Sequence, residues 1–351
     1  MLAHSMFSSI IDVRRNFGLD FVRAIAILLV LFNHTVNYFL TFPLSTLLGD
    51  VSGIYGVEIF FVLSGYLIGK IFFTKVLHAP SKKTLKTFYI RRWLRTLPLY
   101  YILLAIFILI NIMFGKEQVF YLWHALFLQN FFPSVLKFFS VSWTLAIEEW
   151  FYLFLPLIAF LPFMRHASAK KQLVGVGAII GVIILARAIT VLTFDSTFDD
   201  LRKNIPLRFD SLLIGVLLAG VKLHGKRVYE ELKKPVHVLV ISTLLFLFLV
   251  FITAIYKNQT IDANTFVKIY GFPLGSLLIG LLFPFLENNT FLNLKITQVP
   301  FFANIIRQIS ILSYSIYLIH LTIFDICRAA LQNILSPVVI MSVALVLVYL
   351  L

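Results

Sequence analysis

Ten stretches of mostly apolar residues recur along this chain, each bounded by charged or turn-forming segments. They lie near 19–40, 54–74, 97–114, 143–163, 172–194, 205–221, 236–255, 265–286, 309–330 and 336–351. A run of about 20 such residues is what an α-helix needs to cross the hydrocarbon core of a bilayer. Inside lipid each backbone polar group must find its partner within the segment, so spans of this kind are helices. The chain is therefore predicted to be all-α, a polytopic transmembrane helix bundle of about ten spans. Only 13% of the 351 residues are charged, 60% are hydrophobic, and the mean hydropathy is +0.95. Soluble domains carry about 25% charged residues, so the composition excludes a soluble enzyme, a disordered chain and a coiled coil. The apolar stretch 119–132 is too short to span and reads as an interfacial or re-entrant segment.

A net charge of +14 would suit a nucleic-acid partner, but the distribution of that charge gives another explanation. With the N-terminus inside, the cytoplasmic connections hold 19 Lys and Arg residues and the outer ones hold 5. Basic residues between spans stay in the cytoplasm, so both termini are predicted to be cytoplasmic. Membrane lipids, not nucleic acid, are then the expected partners. Met1–Asn16 lacks the apolar core of a cleaved signal peptide. The last span runs to Leu351 with no polar tail, the pattern of a chain cut short. A single cysteine, Cys327, rules out an intrachain disulfide and a Cys-based zinc cluster. His34, His124 and His320 fall on different segments without ligand spacing, so no metal is expected.

Charges at bilayer depth are costly and mark function by default. Here they are Arg23, Glu58, Lys70, Glu148, Glu149, Arg187, Arg208, Asp210, Lys268, Asp325 and Arg328, with His34 and His320 beside them. Arg23 and His34 are eleven residues apart, so they share one helix face about 16 Å apart. Counted from the outer ends of their spans, Glu58, Glu148 and Glu149 come within about one turn of the depth of His34. A histidine level with buried carboxylates can be a base oriented by an acid. It can equally belong to a proton relay in a transporter. Neighbouring side chains on a helix diverge by about 100°, so only one of Glu148 and Glu149 reaches such a site. The other pairs elsewhere, Arg208 being one available cation. The segment 81–98, read as a loop, is the most basic in the chain. Arg92 and Arg95 share a face there, and with Arg91 they suit either bidentate phosphate binding or headgroup anchoring. Phe88, Tyr89, Trp93 and Pro98 among them argue for an ordered element. Ser64 and Gly65, near mid-membrane, suit close helix packing or a narrow channel for an acyl–pantetheine arm.

Six strings in order over nearly the whole chain resemble the acyltransferase-3 family of integral membrane O-acyltransferases. They are LDFVRAIAILLVLFNH (19–34), GVEIFFVLSGYLI (56–68), FYIRRWLRTLPLYY (88–101), SVSWTLAIEEWFYLFLP (140–156), RFDSLLIGVLLA (208–219) and ILSYSIYLIH (311–320). The resemblance implies that 1–351 is a single transmembrane acyltransferase domain, multi-pass in a bacterial inner or plasma membrane. It implies transfer of an acyl group, most often acetyl, from cytoplasmic acyl-CoA to a hydroxyl of a surface or lipid-linked carbohydrate. Carried over by position, Arg23 and His34 form the family's essential pair, Glu58 and Glu148 are acidic partners, and Arg92 and Arg95 are its basic pair. Arg91 and Arg23 join them in donor binding. A flippase for a lipid-linked glycan, using the buried charges as a proton path, is the alternative. Trp150 stands where the family commonly has Gln, which would alter a pocket wall. No soluble hydrolase-like domain is expected on this chain, so it acylates its acceptor directly or hands the group to a separate extracytoplasmic transferase.

Overall fold

The computed structural model describes residues 16–40, 45–113, 121–132, 136–288 and 299–351. Residues 1–15, with Arg14 and Arg15, lie outside the described residues, as do Lys116 and Lys295. Among the described residues the regular structure is helical, without strands. The principal helices are α1 (Phe17–Phe39), α2 (Ser45–Ile71), α3 (Lys82–Met113), α4 (Trp143–Ile158), α5 (Ala169–Thr193) and α6 (Phe198–Lys203). They continue as α7 (Phe209–His224), α8 (Pro235–Lys257), α9 (Thr265–Leu281), α10 (Phe283–Asn288), α11 (Pro300–Leu331) and α12 (Pro337–Leu350).

Among the described residues eight helical segments are long and apolar enough to cross a membrane, and the protein is a multi-pass membrane protein. They are built on α1 to α5, α8, α9 with α10, and α11. Each of the other two expected spans also has a helix at its place, α7 and α12, but these have 16 and 14 residues. At about 1.5 Å per residue they measure about 24 and 21 Å, short of a hydrocarbon core of about 30 Å.

Two boundaries differ from the sequence reading in a way that matters. The basic segment 81–98 is not a loop. From Lys82 onward it forms the first turns of α3, which runs unbroken past Pro98 to Met113. Lys, Arg and Leu are good helix formers, and the Ser81 hydroxyl accepts the Thr84 backbone N–H at 3.1 Å, satisfying a first-turn donor. The 119–132 stretch is irregular where described, with one helical turn at Leu122–Ala125, a 3₁₀ turn at Gln129–Phe131, and Phe127 left-handed at φ 57°. Tyr100 and Tyr101 donate their hydroxyls to the carbonyls of His124 and Ala125, both at 2.9 Å. Trp150 donates its indole N–H to Phe127 O at 2.9 Å. Non-helical backbone at membrane depth is tolerated when protein groups satisfy it in this way.

At the centre stands α2, with α1 and α7 packed along it, while α11 packs on α1. The most apolar window of the α2 segment is 67% buried within the protein, and that of α8 only 11%, which places α8 on the lipid-facing perimeter. Close approach of α2 and α7 depends on two glycines. A Cβ on Gly65 would lie 1.9 Å from Leu212 O, and one on Gly215 would lie 2.2 Å from Val62 O. Small residues at such crossings let backbones touch where the hydrophobic effect offers no drive.

A charge cluster locks α2, α5, α7 and α9 together. Arg187 donates to Asp210 at 2.7 Å and to Ile269 O at 3.0 Å. Arg208 donates to Glu58, whose second oxygen accepts from Ser211 at 2.9 Å and Ser276 at 2.7 Å. The Arg208 guanidinium also lies 4.0 Å from the centre of the Phe272 ring. Two arginines and two carboxylates, all essentially without exposure, neutralise one another. At another end of α2, Lys70, Lys222, Tyr66 and Tyr229 all donate to Glu287 of α10, at 2.5 to 2.8 Å.

Candidate active site

Arg23 and His34 gain their meaning from the helix beside them. Arg23 sits 3.7 Å from Asp20 and donates to Ser310 Oγ at 3.4 Å, and Ser310 donates to Asp20 at 2.9 Å. Eleven residues along α1, the His34 ring centre lies 4.9 Å from that of His320 on α11. Ser310 and His320 are ten residues apart. Two helices that touch at both points with nearly equal spacing run parallel and in register, so one end of the α1–α11 seam carries Arg23 and the other carries the two histidines.

His34 lines a cavity of about 400 Å³. Its wall includes Asn33, Asn37, Val57, Trp143 and Tyr317, and its rim carries Asp50, Asp199, Arg202, Lys203 and Asp262. The Thr144 hydroxyl donates to Tyr317 OH at 2.9 Å, which holds the phenol at the wall. On the rim, Asp199 accepts from Arg202 at 2.6 Å and Lys203 at 2.5 Å. Burial opposes ionisation of Asp199, but Arg202 and Lys203 outweigh it and hold its carboxyl below the usual carboxylate range. Asn37 donates to Asp50 at 3.0 Å, and Asp262 accepts the Phe198 N–H at 2.6 Å. Paired carboxylates, amides and a tryptophan around a basic nitrogen can bind a polyhydroxylated molecule and receive a proton from it.

A second cavity, also about 400 Å³, opens between the last turns of α2 and the first turns of α3. Ile68, Ile71, Val76 and Phe88 give it an apolar floor, and Lys75, Lys83, Arg91, Arg92 and Arg95 give it cations. Arg91 and Arg95 are exposed, whereas Arg92 is half-buried, donates to Tyr152 OH and stacks 4.0 Å from that ring's centre. From Gly53 at the histidine cavity to Ile71 at the basic cavity, α2 covers about 27 Å at 1.5 Å per residue. The two cavities therefore sit at opposite ends of the bundle, a bilayer core apart.

Between them runs a polar seam. Glu149 accepts from Thr96 Oγ1 at 2.9 Å, one turn along α3 from Arg92. Tyr314, one turn along α11 from Ser310, donates to Thr96 O at 2.7 Å. Tyr317 then follows at the histidine cavity.

The geometry rearranges several sequence expectations. Glu58 is held by Arg208, Ser211 and Ser276 and makes no described contact with His34. Glu149, not Glu148, is the buried member of its pair, and it lies on the Arg92 side of the seam; Glu148 is half-buried beside it. Neither pairs with Arg208, because Glu58 already occupies that guanidinium. Arg23 lines neither cavity; it is tied to Asp20 and Ser310. Gly65 packs against α7 and leaves no channel at its own position. Trp150 lines neither cavity; it braces the segment around Phe127. Sequence spacing separated His34 from His320, yet they adjoin. Among the described residues no group of three His, Cys, Asp or Glu side chains converges as a metal site. The rim residues Asp199, Arg202, Lys203 and Asp262 escaped the sequence reading; their one signal was a cluster of charge in two short connections.

The chain belongs to the acyltransferase-3 family, whose profile, described as an acyltransferase domain, matches residues 16–351. The peptidoglycan O-acetyltransferase OatA of Listeria monocytogenes is 32% identical over 187 residues, which is 47% of this chain and 28% of that protein. A Staphylococcus aureus relative from strain COL, whose name also contains O-acetyltransferase, is 27% identical over 327 residues, 88% of this chain and 50% of its own length. The O-acetyltransferase OatA of Staphylococcus aureus is 25% identical over 219 residues, 58% of this chain and 34% of its own length. The chain thus spans half or less of the length of these relatives. No solved structure matches it significantly.

Proposed function

We propose that the protein is a bacterial membrane O-acyltransferase that takes an acyl group, acetyl first among candidates, from cytoplasmic acyl-CoA and passes it to a hydroxyl of a cell-surface or lipid-linked carbohydrate. One observation carries the reading: a cavity walled by arginines and a cavity walled by a histidine lie at opposite ends of the same central helix, joined by a polar seam. Arg91, Arg92 and Arg95 offer planar donors to the phosphates of CoA, and Ile68, Ile71 and Phe88 offer apolar contact to its less polar parts. The family and the names of its relatives support the acetyl group and the carbohydrate class.

In the reaction the acceptor hydroxyl lies in the cavity lined by His34, and the thioester carbonyl reaches it along the seam from the basic cavity. His34 takes the hydroxyl proton as the oxygen attacks the carbonyl. The new C–O bond forms, the C–S bond breaks, and the departing thiolate recovers a proton from the imidazolium. The charge cluster of Glu58, Arg187, Arg208 and Asp210 stands apart from this path as a closed, internally paired lock. A proton relay of a flippase would need groups open to exchange, and these are buried and paired with one another.

The test is thioester consumption. Purified protein in nanodiscs, given acetyl-CoA and isolated envelope glycan, should release free CoA thiol and leave alkali-labile acetate on the glycan. Glycan translocation without CoA release would support the flippase and refute the enzyme.

A further inference from the structure

The catalytic reading of His34 leaves a gap that a neighbouring residue fills. A histidine base needs its second ring nitrogen held, so that one tautomer faces the substrate. The carboxylates that sequence depth offered for this, Glu58 and Glu148, make no described contact with it. What does adjoin His34 is the imidazole of His320, fully buried and not part of the cavity wall.

The tautomer of His320 follows from its contacts. Its Nδ1 lies 2.8 Å from Tyr317 O and 3.1 Å from Ile316 O. A carbonyl only accepts, so Nδ1 carries the proton and Nε2 presents a lone pair. That Nε2 is buried and has no hydrogen-bond partner. A buried acceptor without a donor is costly, and the imidazole of His34 packs against this ring, with centres 4.9 Å apart and planes at 46°. The His320 ring is held by its two carbonyl contacts, so the hydrogen bond would be made by rotation of the His34 ring.

We propose that His320 is the positioning residue for His34. Its Nε2 accepts the ring N–H of His34 and leaves the other His34 nitrogen unprotonated toward the cavity. The hydroxyl proton goes to that free nitrogen and from there to the thiolate, while the N–H directed at His320 stays in place throughout. A neutral acceptor suits this depth, because it fixes the tautomer without an unpaired charge in a low-dielectric interior. The α1–α11 register is what brings the rings together, with Arg23 and Ser310 meeting at the other end of the seam.

The inference rests on His34 being the base, and the experiment separates the two. Alkali-labile acetate is measured on envelope glycans of cells carrying each variant as sole copy, together with protein level, melting temperature and acetyl-CoA binding of the purified variants. His320→Asn keeps an amide N–H where Nδ1 was but loses the acceptor at the Nε2 position. His320→Gln places an amide oxygen near that position. With level, melting and donor binding unchanged, Asn should lower acylation about 10-fold or more, and Gln should restore at least a third of it. In a His34→Ala background, His320→Asn should cause no further loss. Normal acylation by His320→Asn, or Gln failing as badly as Asn, overturns the positioning role while leaving His34 as the base. Normal acylation by His34→Ala overturns both readings.

Discussion

Glu58 and Arg208 meet where neither is exposed to solvent, so removing one leaves the buried cluster of Glu58, Arg187, Arg208 and Asp210 with one uncompensated charge. Breaking a buried pair from one side typically costs about 3–5 kcal/mol. Glu58→Gln should therefore lower the melting temperature and the yield of folded protein in detergent, and the double variant Glu58→Gln with Arg208→Gln should recover part of that loss. A Glu58→Gln protein that melts like wild type but turns over slowly would return Glu58 to the catalytic site. At the basic cavity, Arg92→Ala should raise the KM for acyl-CoA in a salt-sensitive way, and Arg92→Lys should rescue only part, because lysine lacks the planar fork that stacks on Tyr152. Unchanged donor affinity in an Arg92→Ala, Arg95→Ala double variant would make this surface an anchor for lipid headgroups. Glu58 and Arg23 stood out as charges in apolar runs, and Arg92 by its place in the most basic segment. Their partners were not legible. Glu58 and Arg208 stand 150 positions apart, and nothing in one sequence records the rotation of one helix against another.

Among the helices, the pairing of α2 with α7 is the most sensitive to size. A side chain at Gly65 would meet the backbone of Leu212 and not a movable side chain, so Gly65→Leu should abolish folding, whereas the open Gly177 on α5 should accept leucine with little effect on melting. Circular dichroism melts of the two variants check this; equal stability would show that α2 and α7 do not pack as described. Helix existence was readable from apolar length for α1, α5, α8 and α9, since a long run in lipid has one backbone solution. The start of α3 was hidden by its cations, which read as a connection although Lys and Arg favour the helix. The irregular segment near His124 depends on hydroxyl donors from Tyr100 and Tyr101 and on the Trp150 indole, contacts that follow from tertiary packing alone. The α1–α11 register was half legible: the spacing of Arg23 and His34 was visible, while Ser310 and His320 acquire their place only when the two helices lie side by side.

For the whole molecule, the proposed reaction puts the two cavities in two compartments. The basic one should face the cytoplasm, as the excess of Lys and Arg in the connections predicts. With Cys327 replaced, Lys82→Cys at the start of α3 should resist a membrane-impermeant thiol reagent applied to intact cells, and Asp195→Cys before α6 should react; the reverse pattern would invert the donor and acceptor sides. Architecture at this level was the most legible, because composition alone demands a membrane bundle, and the ordered strings point to its family. The rim of the histidine cavity was the least legible, since Asp199, Arg202, Lys203 and Asp262 become one surface only after folding. Whether acyl transfer runs through the histidine cavity is settled by single-turnover transfer from radiolabelled acetyl-CoA to isolated envelope glycan in nanodiscs, comparing wild type with His34→Ala at equal melting temperature and equal donor binding. The variant should be slower by about 10²–10⁴-fold, the usual loss on removing a general base; transfer at near wild-type rate by folded, donor-bound His34→Ala would contradict the assignment.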